Sequence, residues 1–274
     1  MRYLRICTVV IFIASLVFSG WANFQYQSGL NRDYPTLTNS VGTLEISVQD
    51  PQEAIFRGLT AKDATDGDLT DQIMVASVSH FLEPGTVNVK YVVFDSHNNA
   101  ASLTRKVHYT DYRSPVFSAD KAPIYRVGNS FDLLDHIQVT DCIDGDISDR
   151  IRVISNMVNN FSDGIYPVLL EVSNSCGDTA QLSILVHYQS KESNVSIMLH
   201  EYIVYHVQGE AFDPYPYIAS VTDQNMVALD PAKVEIQGNL DTEKPGTYQL
   251  VYSYAEGVLT GKSAMTIIVT ERQA

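Results

Sequence analysis

Basic residues are scarce in this chain: Lys and Arg together number 18 against 32 Asp and Glu over 274 residues, a formal charge of −14. So acidic a surface repels phosphate backbones, which makes nucleic acid a poor partner. Helical periodicity is missing as well, since no window of a dozen residues carries an apolar stripe at helical spacing. No Gly-x-Ser-x-Gly, His-Glu-x-x-His, phosphate loop or dinucleotide fingerprint is present. The histidines (His80, His97, His108, His136, His187, His200 and His206) are scattered, and catalysis is not expected. Cysteine is rare: there are three, and setting aside Cys7 in an apolar leader leaves the pair Cys142 and Cys176. Apolar content is ample, at 45% with 16 Tyr, and this excludes wholesale disorder.

The N-terminus reads as a targeting segment. Arg2 and Arg5 precede a run from Ile6 to Ala22 that contains no charge, as in an export signal whose positive end stays inside. The run is short for a full span, which needs about 20 residues. Gly20-Trp-Ala22 offers the small residues a signal peptidase prefers, so cleavage after Ala22 is one outcome. Trp21, Phe24 and Tyr26 suit the interfacial belt of an uncleaved anchor, which is the other. No wall-sorting motif or second hydrophobic tail follows at the C-terminal end, which favours the anchor, and both outcomes place the rest of the chain outside the cytoplasm. Residues 1–22 are thus a signal peptide or signal-anchor contacting the membrane, and polar, aperiodic residues 23–42 are a stalk or linker.

From Leu44 onward, short alternating runs are punctuated by Gly and Asp/Asn turns, the pattern of β-sandwiches. The pattern repeats. Asp63-Ala-Thr-Asp-Gly-Asp-Leu-Thr returns as Asp141-Cys-Ile-Asp-Gly-Asp-Ile-Ser, and both copies close on Val-His-Tyr, at 107–109 and 186–188. A worn third copy keeps Val221-Thr-Asp223 and Lys244-Pro-Gly-Thr but lacks the Asp-Gly-Asp. Three units are placed at 43–112, 113–190 and 191–274.

The Asp-x-x-Asp-Gly-Asp-[Leu/Ile]-[Thr/Ser] stretch, followed by Pro-Gly-Thr, an alternating strand, Asp-Ser-x-x-Asn and a closing strand, resembles the bacterial immunoglobulin-like repeat family of surface proteins. The type is also found in a pesticidal crystal protein. The likeness is strong in the first unit, good in the second and partial in the third. It implies an all-β chain of three tandem immunoglobulin-like sandwiches of seven strands each, non-catalytic, acting on a cell surface as a spacer or adhesion and assembly module. The alternative is a secreted module that binds a glycan or a protein partner through its loops or the Tyr-rich third unit.

In such a sandwich the Asp63–Asp68 loop and the Asp95–Asn98 loop lie at the same end. Asp63, Asp66, Asp68, Asp95 and Asn98 then offer hard oxygen donors of the kind Ca²⁺ takes six to eight of. The same residues equally suit Asx-turns, with Gly67 supplying a positive φ. Cys142 aligns with Ala64 and Cys176 with His97, so both cysteines fall in these paired loops. Export favours their oxidation to a disulfide, which typically stabilises by about 2–4 kcal/mol; two free thiols or an interchain bond are the alternatives. Tyr202, Tyr205, Tyr215 and Tyr217 form a candidate binding surface in the third unit, against the plainer reading of Tyr as a favoured strand residue.

Overall fold

The computed structural model describes residues 15–22 and 34–272. The expected leader therefore lies largely outside the described residues, as does most of the linker. Residues 15–22 are helical and expose Leu16, Val17, Phe18 and Trp21. Among the described residues, no helix is long and apolar enough to cross a membrane. The chain divides into two compact units, Met1–Thr110 and Asp111–Ala274. The first holds one sandwich, and the second holds the two that follow.

In the first unit, β1 (Thr36–Asn39), β2 (Thr43–Ile46), β3 (Leu59–Asp63), β4 (Gly67–Asp68), β5 (Met74–Val78), β6 (Thr86–Phe94) and β7 (Ala100–Tyr109) make two sheets, β1-β3-β4 and β2-β7-β6-β5. The strands form because Val, Ile, Thr and Tyr alternate with polar residues, so one side of each strand can be buried. Val87, Val89, Tyr91 and Val93 of β6 all point inward and are fully buried, while β3 contributes Leu59 and Ala61. Arg105 breaks the apolar pattern of β7. It is buried, and its guanidinium donates to the carbonyls of Ile55 and Arg57 (2.6 Å each), to Asn39 Oδ1 (3.1 Å) and to the Tyr91 hydroxyl (3.2 Å). A buried cation is tolerated only with such a set of acceptors.

The second sandwich repeats the plan with β8 (Val116–Ala119), β9 (Ile124–Arg126), β10 (Ile137–Asp141), β11 (Gly145–Asp146), β12 (Arg152–Asn156), β13 (Gly164–Ser173) and β14 (Thr179–Gln189). Its sheets are β11-β10-β8 and β12-β13-β14-β9. The third comprises β15 (Val195–Leu199), β16 (Ile203–Val207), β17 (Ile218–Asp223), β18 (Val234–Gln237), β19 (Gly246–Glu256) and β20 (Leu259–Thr270), in sheets β15-β17 and β16-β20-β19-β18. The first two sandwiches thus have the seven strands expected of them, although β1 of the first falls within residues 23–42, expected as a linker. The third, among the described residues, lacks the short strand that the Asp-Gly-Asp turn forms in the other two.

In each sandwich an early strand joins the closing strand in parallel: β2 with β7, β9 with β14, and β16 with β20. The opposite edge strands, β5 and β12, each carry a register shift at the equivalent place, Val75/Ser77 and Val153/Ser155. Bulges of this kind twist an edge away from further pairing. The cores of the second and third sandwiches are contiguous, because Ile203 and Ile268 of the third pack into the cluster around Phe117, Ile184 and Tyr188 of the second.

Candidate functional site

The Asp-Gly-Asp loops are built alike in both copies. Asp63 Oδ1 accepts from the amides of Thr65 (2.8 Å) and Asp66 (2.9 Å), and Asp141 Oδ1 from those of Ile143 (2.9 Å) and Asp144 (2.8 Å). This is the Asx-turn chemistry of short acidic side chains. Gly67 and Gly145 sit at φ of +77° and +74°, where any side chain would be strained. The last Asp of each motif starts the next turn: Asp68 Oδ1 accepts from Thr70 N (2.9 Å), and Asp146 Oδ1 from Ser148 N (3.0 Å) and Ser148 Oγ (2.6 Å).

The middle Asp reaches across to the other loop. Asp66 accepts from Ser96 N (2.7 Å) and Ser96 Oγ (2.9 Å). Asp144 accepts from Ser175 N and Ser175 Oγ (2.6 Å each) and from Arg150 Nη1 (2.6 Å). The two loops expected to be neighbours are therefore stapled together in both sandwiches. Burial pushes the Asp144 carboxyl up, but the Ser175 and Arg150 bonds outweigh it and hold the group below the usual carboxylate range. The last-strand loop has its own turn: Asp95 Oδ1 accepts from His97 N and Asn99 N (2.8 Å each), and Asn174 Oδ1 from Cys176 N and Asp178 N (3.0 Å each). Asn98 occupies the left-handed region at φ +63° and donates its amide to Asp95 O.

The oxygens on which a calcium reading draws are thus mostly turn acceptors. Among the described residues, no group of three or more His, Cys, Asp or Glu is arranged to hold a metal ion. One oxygen stands apart. Asp141 Oδ2 accepts from Asn174 Nδ2 (3.1 Å), whereas Asp63 Oδ2 is buried with no hydrogen-bond partner. The first sandwich has Asp95 where the second has Asn174, so it lacks the amide that would answer Asp63.

Cys142 and Cys176 stand as free thiols in the structure, one partly buried and the other buried. Cys142 Sγ donates to Arg113 O at 3.1 Å. Burial pushes both thiols up, and Cys142 contributes to the rise at Cys176, as expected for groups on stapled loops.

The four tyrosines have separate duties. Tyr205, on β16, accepts from Phe117 N of the second sandwich at 2.9 Å. Tyr202 is partly buried, and its hydroxyl accepts from Leu199 N at 3.3 Å. Tyr217 stacks on Phe212 with ring centroids 5.4 Å apart, while Tyr215 is 53% exposed. The sequence reading missed the junction to which Tyr205 belongs. There, His187 Nε2 bonds Gln249 Oε1, and Gln249 Nε2 donates to Leu185 O at 2.8 Å. The repeated Val-His-Tyr marks His187 as structural but does not announce its partner. Its counterpart His108 bonds Thr86 Oγ1 at 3.0 Å instead.

Residues 202–269 match the family model of the bacterial surface protein Ig-like domain. Over 207 residues, 73% of this chain, the sequence is 29% identical to the pesticidal crystal protein Cry22Aa of Bacillus thuringiensis, and it covers 28% of that protein. Among solved structures, the catalytic and CBM51 domains of Clostridium perfringens ZmpB align over 89% of this chain and 31% of that one, at 15% identity and a TM-score of 0.25. Drosophila N-cadherin EC1-3 aligns over 85% of this chain and 99% of that one, at 12% identity and a TM-score of 0.30. The chain thus spans less than a third of the length of the crystal protein and of the ZmpB chain. The unit that most lacks the Asp-Gly-Asp signature is the one the family model covers.

Proposed function

We propose that this chain works outside the cytoplasm as a non-catalytic surface module that spaces, assembles or binds, since its third sandwich matches the model of the bacterial surface Ig-like domain and the two before it are built on a similar plan. The observation that carries this reading is the family match, which runs from Tyr202 to Val269 and so takes in nearly the whole third sandwich. The junction supports it. Tyr205, His187 and Gln249 fix the third sandwich on the second, so the pair presents one stiff body rather than a string of loose domains. The histidines at equivalent positions serve hydrogen bonding in strands, which fits a structural role. In the same reading residues 1–22 deliver the chain across the membrane and hold it there, or are cut after Ala22.

The test is fractionation followed by binding. Epitope-tagged full chain is located in washed cells, membrane and medium, and the released protein is then titrated onto the same cells. Retention in the membrane fraction, or saturable cell binding by the released form, is the expected result. A chain found in the cytoplasm would remove the proposal. Release into the medium without retention would favour the secreted module, for which the exposed ring of Tyr215 is the available anchor.

A further inference from the structure

A cleft of about 740 Å³ lies where the second and third sandwiches meet. It is lined by β9, the 189–194 connection, β15 and the start of β20. Its volume falls in the roughly 300–1,000 Å³ range of ligand sites. Its charge is opposite to that of the molecule. Four cations, Lys121, Arg126, Lys191 and Lys262, line it beside only two carboxylates, Glu192 and Asp223, in a chain of formal charge −14. Glu192 is already paired with Arg126 at 3.2 Å. Among the described residues, Lys121, Lys191 and Lys262 enter no ion pair.

The neutral lining mixes polar groups with the apolar side chains of Ala122, Ile124, Val195, Ile197 and Met198. Gln189, Ser193, Ser196 and Gln224 offer hydroxyl and amide groups, and the partly buried Tyr202 adds ring surface, while Tyr125 is buried with Lys121 Nζ 5.5 Å from its ring centroid. Ser263, 1% exposed, stands in the cleft wall with its Oγ unpartnered. A buried hydroxyl without a partner costs free energy, and this one lies behind the surface of the cleft wall.

We propose that this cleft binds a polysaccharide bearing carboxylate or sulfate groups, with Lys121, Lys191 and Lys262 engaging the anionic groups. The inference rests on the surface-module reading and names the ligand class it would take. At physiological ionic strength, charge beyond about 8 Å is screened. The acidic remainder of the chain therefore does not forbid a polyanion held directly against the lysines.

The experiment titrates the full chain with polygalacturonate, dextran sulfate and neutral dextran at 0.15 M salt. The expected result is binding to one or both charged polymers and none to dextran, and the polymer preferred identifies the anionic group. The double variant Lys121→Glu/Lys262→Glu, and separately Lys191→Glu on the exposed connection, should weaken that binding by about tenfold or more, while Lys90→Glu in the first sandwich leaves it unchanged. Equal affinity for dextran, no binding to any polymer, or equal losses in all variants would overturn the proposal. A chain that binds its own cells but no polyanion keeps the surface-module reading and loses only the cleft.

Discussion

Asp144 accepts three hydrogen bonds, two from Ser175 and one from Arg150. Hydrogen bonds to a charged group are each worth about 1.5–3 kcal/mol, and partial exposure lowers the sum. Asp144→Ala is expected to cost the second unit about 2–3 kcal/mol, read as a shift of the urea midpoint. Because the folded carboxyl titrates below its unfolded value, its stabilisation is present above the unfolded pKa and is lost as pH falls through the folded one. Wild type should therefore lose stability below about pH 4, and Asp144→Ala should lose less. In the first sandwich the exchange Asp95→Asn/Asn99→Asp rebuilds the pairing of Asn174 and Asp178. It gives Asp63 Oδ2 an amide and should stabilise the unit by about 1 kcal/mol; an unchanged or lowered midpoint would show that Asp63 is satisfied in another way. Export is expected to close Cys142 with Cys176. Cys7 of the leader aside, native exported protein should then resist maleimide and take two labels after reduction, whereas labelling of both Cys142 and Cys176 before reduction would rule the bridge out.

At the level of elements, the junction has a built-in pH response. Burial lowers the pKa of His187, its bond to Gln249 opposes the shift, and Lys262 adds to the lowering. The folded state thus holds the ring neutral, and the unfolded state binds the proton more readily. Stability is full above the unfolded pKa of about 6.5 and falls as pH drops below it. The second unit should be measurably less stable at pH 5.5 than at pH 7.5, and His187→Gln should flatten that slope. The elements themselves were largely legible in the sequence. Alternating runs at 87–94, 182–188 and 248–254 marked β6, β14 and β19, and Asp-x-x-Asp-Gly-Asp encoded its own turn because the spacing of Asp to the following amides fixes the Asx geometry. The junction was not legible. Tyr205 and Phe117 are 88 residues apart, and a single tyrosine hydroxyl reaching a strand amide leaves no periodic trace. The tyrosines looked like one surface because they are close in sequence, but strand alternation gives them different neighbours.

For the whole molecule, sequence repetition counts three domains while compactness counts two units. Heating should accordingly give two transitions in calorimetry, one for the first sandwich and one in which the second and third unfold together. Tyr205→Phe removes the hydroxyl that meets Phe117 N and should broaden or split the second transition while leaving the first in place.

The parallel pairing of an early strand with the closing strand has a consequence under load. In the second sandwich β9 and β14 run the same way, near the two points where the chain enters and leaves. Tension between those points pulls the strands past each other along their length, so their ladder bonds must yield together rather than one by one. β2 with β7 and β16 with β20 are set in the same manner. A chain held at its N-terminal end and loaded beyond β20 would carry force through three such clamps in series.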